Sequence, residues 1–169
     1  MSAFLGYLWS FTRIFIKSPS GRQRFNVLGA INAISKELVL VTNTSYITSM
    51  QICEMLVKIA IRRTEAIPIT IVLDNARYQR CKLVMEKAAE LGIELLFLPP
   101  YSPNLNLIER LWKFVKKEVL YSKYYDKFEN FKEAITNSLE QTETKHKKAL
   151  DSLLTLKFQT FSETKFVAL

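Results

Sequence analysis

The chain has 169 residues, 49% of them hydrophobic and 24% charged, with a formal net charge of +8. This size and apolar content suit a single folded domain with a sizeable core and argue against whole-chain disorder. The charge favours polyanionic partners, nucleic acid before a membrane surface, with an ordinary basic soluble surface as the alternative.

The N-terminal stretch Met1 to Ile16 is apolar and aromatic but lacks a basic leader and is interrupted by Arg13. It falls short of the roughly 20 apolar residues a spanning helix needs and reads as core-bound chain, with no membrane segment. Arg24 to Asn32 and Glu37 to Thr42 are β-rich runs with a short polar break, which predicts an antiparallel hairpin. Thr48-Ser-Met-Gln51 has the form of a capping box, with Ile47 and Ile52 placed as a hydrophobic staple. Cys53, Leu56, Ile59 and Ala60 continue at helical spacing to about Arg63, and Pro68 bars further helix.

Ile69 to Asp74 reads as a buried strand, Cys81, Val84, Met85, Ala88 and Leu91 as the inner stripe of a helix stopped by Gly92, and Ile93 to Leu98 as a second strand. Strand, helix and strand in this order predict a parallel pair with a right-handed crossover. After a Pro-Pro-Tyr-Ser-Pro turn, Ile108, Leu111, Trp112, Val115 and Val119 line one face of another helix, and Phe128, Phe131, Ile135 and Leu139 line a further one. The expected organisation is a domain over residues 1–140 and a tail over 141–169, with Leu150, Leu153, Leu154, Phe158 and Phe161 docking back. No internal repeat and no glycine-rich phosphate loop is present.

Cys53 and Cys81 form neither a metal-type spacing nor a disulfide framework, which fits a reducing intracellular setting. His146 is the only histidine, which argues against a histidine-based metal cluster and against Ser-His-Asp chemistry. The chemistry that remains is a carboxylate pair. Asp74 closes the first parallel strand and Glu109 stands one turn into the helix after the second, with the 34 residues 75–108 between them. Sites in open α/β sheets collect beyond the carboxyl ends of the strands, so both acids should reach one rim. Two neighbouring carboxylates repel unless a cation joins them, and magnesium suits such an oxygen set. Two plainer readings compete. Asp74 followed by Asn75 is a common turn former, and Asn106-x-x-Glu109 can be an N-cap with a reciprocal Glu folded back on it.

The strings Leu73-Asp74-Asn75-Ala76-Arg77, Leu98-Pro-Pro-Tyr-Ser-Pro-Asn-Leu-Asn106 and Ile108-Glu109-Arg110-Leu111-Trp112 resemble the DDE transposases of the mariner superfamily, in their bacterial insertion-sequence branch. Gly21-Arg-Gln-Arg-Phe-Asn-Val-Leu-Gly-Ala-Ile-Asn32 resembles the family's second-strand segment, and the likeness runs from about Arg22 to Phe131. The resemblance implies an RNase H-like α/β fold, a mixed sheet flanked by helices. It also implies three acidic residues around two Mg2+ (or Mn2+) ions, with Asp74 matching the second acid and Glu109 the third. The implied reaction is cleavage of DNA at the ends of an insertion sequence and strand transfer into a target, in a cytoplasmic, DNA-associated setting.

Departures accompany the match. The family's first Asp lies on a strand before the segment matching Gly6-Tyr-Leu-Trp-Ser10, yet no Asp precedes Asp74 here and no acid precedes Glu37. The expectation is therefore a domain without its first strand, inactive alone. Its partners are expected to be DNA, another copy, or an upstream half carrying the helix-turn-helix. A non-catalytic DNA-binding remnant or inhibitor of an intact transposase is the alternative, and a receiver-like small-ligand domain a third class. Many relatives carry His near Gln79 and Pro at the position of Leu107.

Among basic residues, Arg77, Arg80, Arg110, Lys113, Lys116 and Lys117 are candidates for DNA-backbone contacts, against the plainer reading of a solvated face. Tyr121, Tyr124 and Tyr125 are candidates for base stacking or for burial, Trp112 for the core, and Lys145, Lys147 and Lys148 for solvent.

Overall fold

A computed structural model describes residues 10–13, 15, 23–63, 67–100 and 102–158. The hairpin consists of β1 (Asn26–Ile31) and β2 (Leu38–Asn43), antiparallel from Asn26 opposite Asn43 to Ile31 opposite Leu38. Its strands are shorter than the apolar runs because both ends of the break have other tasks. The Asn32 side chain accepts the amides of Ile34 (2.8 Å) and Ser35 (3.0 Å), and Lys36 takes a left-handed φ of 66° to close the turn. Asn and short polar side chains favour such turns because they satisfy backbone donors locally. Glu37 pairs with Arg62 at 3.2 Å rather than extending β2.

Helix α1 (Ser49–Ile61) starts at the capping box read from the sequence: Gln51 Oε1 accepts the Thr48 amide at 2.9 Å and Thr48 Oγ1 accepts the Met50 amide at 3.3 Å. It buries Ile52, Cys53, Met55 and Leu56 under the hairpin and the following strands. Strand β3 (Ile69–Leu73), helix α2 (Lys82–Glu90) and strand β4 (Ile93–Phe97) form the crossover, with β3 and β4 parallel and in register from Ile69 opposite Ile93 to Leu73 opposite Phe97. Gly92, at φ 61°, ends α2 in the left-handed conformation that glycine adopts without a Cβ penalty. The helix is narrower than its stripe. Val84 and Ala88 are buried and Cys81 and Leu91 pack partly buried beside them, whereas Met85 is exposed.

Among the described residues the strands form two separate two-stranded ribbons, β1–β2 and β3–β4, rather than one continuous mixed sheet. Leu28 of β1 packs both on the α1–α2 core and on the cluster around Val39, Val41 and Met55, and so links the two ribbons through side chains. In β3–β4, Ile69, Ile71 and Leu95 pack toward α1 and α2, while Thr70, Val72, Glu94 and Leu96 lie on an open face.

Helix α3 (Leu107–Val115) covers the other face of the hairpin, and Leu107, Leu111 and Val115 are buried. A π-helical turn, Lys116–Leu120, extends it, with the Tyr121 amide bonded to the Lys116 carbonyl at 3.1 Å. The extra residue per turn lets the adjacent Val119 and Leu120 both face inward, whereas a regular stripe would bury Val119 alone. Helix α4 (Phe128–Glu140) and helix α5 (Lys147–Leu153) complete the second core, to which Ile135, Leu139, Leu150 and Leu154 contribute. Leu153 is exposed, and Phe161 lies outside the described residues. Of the apolar N-terminal stretch, Phe11 and Phe15 are described and are solvent-exposed, not core-bound. No helix of the described residues is long and apolar enough to cross a membrane.

Candidate active site and its comparisons

Asp74 follows β3 directly, and the ladder runs one step beyond the strands, with the Leu98 amide bonded to the Leu73 carbonyl at 2.9 Å. Asn75 then crosses to the neighbouring strand end, its Nδ2 donating to the Leu98 carbonyl at 3.2 Å. Arg80 fixes Asn75 from the other side, donating from Nη1 to Asn75 Oδ1 at 2.7 Å, and its guanidinium lies 5.1 Å from the centre of the Phe97 ring. Asn75 and Arg80 thus bridge the two strand ends, and Asp74 is half-buried beside them.

Pro99 and Pro100 end β4, and a 3-10 turn at Pro103–Leu105 brings the chain to Asn106, the N-cap of α3. Asn106 uses both ends of its amide. Oδ1 accepts the Ile108 amide at 3.4 Å, and Nδ2 donates to Asp74 Oδ1 at 2.9 Å. The N-terminus of α3, whose partial positive charge favours anions, is thereby tied to the strand-end carboxylate. Glu109 lies in the first turn of that helix. The reciprocal cap that competed with a metal role for Glu109 does not form, because the Asn106 amide donates to the Pro103 carbonyl at 3.1 Å. The turn-former reading of Asp74 also fails to account for its contact, which reaches across the site to Asn106.

The remaining candidates divide. Arg77 lies on the single 3-10 turn Arg77–Gln79 beside Asp74 and is exposed. Lys113, Lys116 and Lys117 are exposed on the side of α3 and its π turn away from the core. Arg110 is engaged otherwise. Its guanidinium donates to the carbonyls of Leu153 (3.2 Å), Thr155 (2.7 Å) and Lys157 (2.8 Å) and lies 5.1 Å from the Phe158 ring centre. Arg80 likewise serves Asn75 and Phe97. Both are candidates for phosphate contacts, and in this structure their guanidinium groups hold chain segments. A planar five-donor fork is suited to collecting several carbonyls at once. Gln79 is buried, and its Oε1 has no hydrogen-bond partner among the described residues. Of the three tyrosines, Tyr121 and Tyr124 are exposed, while Tyr125 is half-buried against Phe131 and donates to the Val119 carbonyl at 2.6 Å.

No group of three or more His, Cys, Asp or Glu suited to a metal occurs among the described residues. The donor set present is nevertheless the right chemistry for a hard divalent cation: Asp74, with Oδ1 bonded to a neutral amide, and Glu109, not folded onto its cap. Magnesium is commonly held by one or two carboxylates together with substrate phosphates.

From the sequence Asn75 reads as a turn former and Asn106 as an N-cap; their further contacts, Asn75 with Leu98 and Arg80 and Asn106 with Asp74, are tertiary. Asn75 and Asn106 each adjoin a turn at the carboxyl edge of the pair, and a side chain with a donor and an acceptor end placed there was the available signal.

The architecture is that of the RNase H-like α/β cores: a hairpin, a parallel crossover, and helices on the faces. The chain belongs to the DDE superfamily endonucleases, whose family pattern it matches over residues 12–132. Among solved structures it is similar to the chain in the Mos1 strand transfer complex, at 15% identity and a TM-score of 0.53, covering 92% of this chain and 50% of that one. The catalytic core domain of BIV integrase matches at 14% identity and a TM-score of 0.45, covering 76% of this chain and 93% of that one. No curated protein matches the chain in sequence.

Proposed function

We propose that this chain is the catalytic portion of an insertion-sequence transposase of the mariner-superfamily type, in which Asp74 and Glu109 hold Mg2+ or Mn2+ against a DNA phosphodiester. The observation that supports it is the Asn106–Asp74 bond, which ties the N-cap of α3, the helix with Glu109 in its first turn, to the strand-end carboxylate. The bound metal would supply activation of water or of a DNA 3′-hydroxyl and stabilisation of the leaving oxygen. The chain's own part is to fix the Asp74 carboxylate at the strand end, to present Glu109 from the first turn of α3, and to neutralise phosphates with Arg77, Lys113, Lys116 and Lys117. DNA is the partner, and a second copy or an upstream half bearing a helix-turn-helix completes the assembly. The setting is the bacterial cytoplasm, on DNA.

With two of three acids, the chain by itself cuts slowly. Glu37 and Glu54, the described acids before Asp74, pair with Arg62 and Lys58, which supports leaving them out of the site. A loss of about 4 kcal/mol of transition-state stabilisation is roughly a thousandfold in rate. A magnesium-dependent nicking assay on duplex DNA tests both points. Trace cutting that disappears in Asp74→Asn is expected. Robust cutting by the chain alone would remove the claim of low activity, and cutting indifferent to Asp74→Asn and Glu109→Gln would remove the site. Salt-dependent DNA binding with no cutting at all favours a non-catalytic DNA-binding remnant or inhibitor.

A further inference from the structure

The assignment of Asp74 and Glu109 leaves open what sets their relation before any cation arrives. We infer that Asn106 is the positioning residue of the metal site: one amide caps α3 and aims the Asp74 carboxylate, so the two acids are held as a unit by a neutral side chain. The inference rests on the metal reading given under the proposed function.

Three features carry it. First, the direction of the amide is fixed by chemistry. The helix N-terminus offers only N–H donors, so Oδ1 must face the Ile108 amide and Nδ2 must face away from it. Nδ2 then meets Asp74 Oδ1 at 2.9 Å, across a gap of 31 residues, 75–105. Second, Asn106 is itself held, its amide bonded to the Pro103 carbonyl at 3.1 Å and its side chain half-buried. Third, the bond engages one oxygen of Asp74. The other carries no hydrogen bond among the described residues, which leaves it for a cation.

A carboxylate ligand whose second oxygen is hydrogen-bonded has a defined orientation, and removing such an outer partner costs typically 10–100-fold in metal affinity. Capping alone predicts no such cost. Serine and aspartate cap helices about as well as asparagine. Serine is too short to reach Asp74 as well, and aspartate places a second carboxylate against it.

These properties separate a positioning role from a purely structural one. The full chain, Asn106→Ser, Asn106→Asp and Asp74→Asn are compared by thermal unfolding in chelator and in Mn2+, and by the electron-spin-resonance signal of free Mn2+. For Asn106→Ser the expected result is an unfolding temperature in chelator close to that of the parent, with the Mn2+ half-saturation raised at least about tenfold. Asn106→Asp is expected to unfold at lower temperature in chelator and to gain more than the parent from Mn2+. Equal Mn2+ binding by the parent and Asn106→Ser, with Asp74→Asn impaired, would reduce Asn106 to a cap and overturn this inference alone. An Asn106→Asp variant as stable as the parent in chelator would overturn it too. Parent and Asp74→Asn chains that bind Mn2+ alike would overturn the metal reading of Asp74 and this inference with it.

Discussion

A Cβ placed on Gly29 would lie 2.8 Å from two ring carbons of Trp112, so the indole of α3 rests directly on the backbone of β1. This contact docks the helix that carries Glu109 onto the hairpin. Real Cβ atoms do not approach so closely, and a rigid indole among packed neighbours has little room to withdraw. Gly29→Ala should therefore destabilise the domain by about 1–3 kcal/mol, the usual cost of overpacking. Urea unfolding measures it. Gly29→Ala/Trp112→Leu should recover part of the loss relative to the sum of the single changes, because the two sites touch. Strict additivity would mean the contact is not the cause.

Arg110 predicts a local effect. Its guanidinium gathers three carbonyls between Leu153 and Lys157. A lysine ammonium is a point charge and cannot hold that fork, so Arg110→Lys should behave much like Arg110→Ala, each costing about 1–3 kcal/mol. Amide hydrogen exchange should rise over residues 153–158 while the β3–β4 pair stays protected. Uniform loss of protection across the chain would show that the clamp is global.

Alkaline pH offers a third test. Burial raises the Tyr125 phenol above its ordinary value of 10.0. The unfolded chain therefore gives up this proton first as pH rises. The stabilisation is fully present below about pH 10 and is lost as pH climbs through the folded value. Tyr125→Phe should start about 0.5–1.5 kcal/mol less stable, having lost the bond to the Val119 carbonyl, and should then fall less steeply above pH 10. Parallel stability curves for the two proteins would contradict the burial effect.

For DNA binding, the exposed lysines and the engaged arginine make opposite predictions. Each phosphate-neutralising cation contributes about 0.7–0.9 to the slope of log affinity against log salt. Lys113→Ala/Lys116→Ala/Lys117→Ala should therefore lower the slope by about 2–3, read by fluorescence anisotropy of labelled duplex. Arg110→Ala should leave it unchanged. A reversed outcome would move the binding face to the C-terminal side of α3.

Much of this was legible from residue order. The capping box at Thr48 and Gln51, the αL stop at Gly92 and the parallel β3–β4 pair all rest on local chemistry that spacing reveals. The strand end before Asp74 and the helix start before Glu109 were legible as well. What spacing could not reveal was tertiary. Arg110 sits in the same pattern as Lys113 and Lys117 on a helical face, and only the return of the chain at Leu153 to Lys157 distinguishes it. Met85 belongs to an apolar stripe, yet it is exposed while its neighbours Val84 and Ala88 are buried, which only the packing of α2 on α1 and the strands decides. The π turn was hidden because the inward positions of a five-residue bulge do not follow the 3.6-residue period.

The register of β3 against β4 has one further consequence. Alternation carried past Leu73 places Asp74 on the side of Thr70 and Val72, away from the α1–α2 core. Sliding β3 by a single residue would exchange its faces, exposing Ile69 and Ile71 and turning the carboxylate inward. Hydrophobic packing thus acts as a proofreader of the carboxylate rim: a misaligned pair would leave its apolar face in water, and a chain that packs in register has already aimed its aspartate.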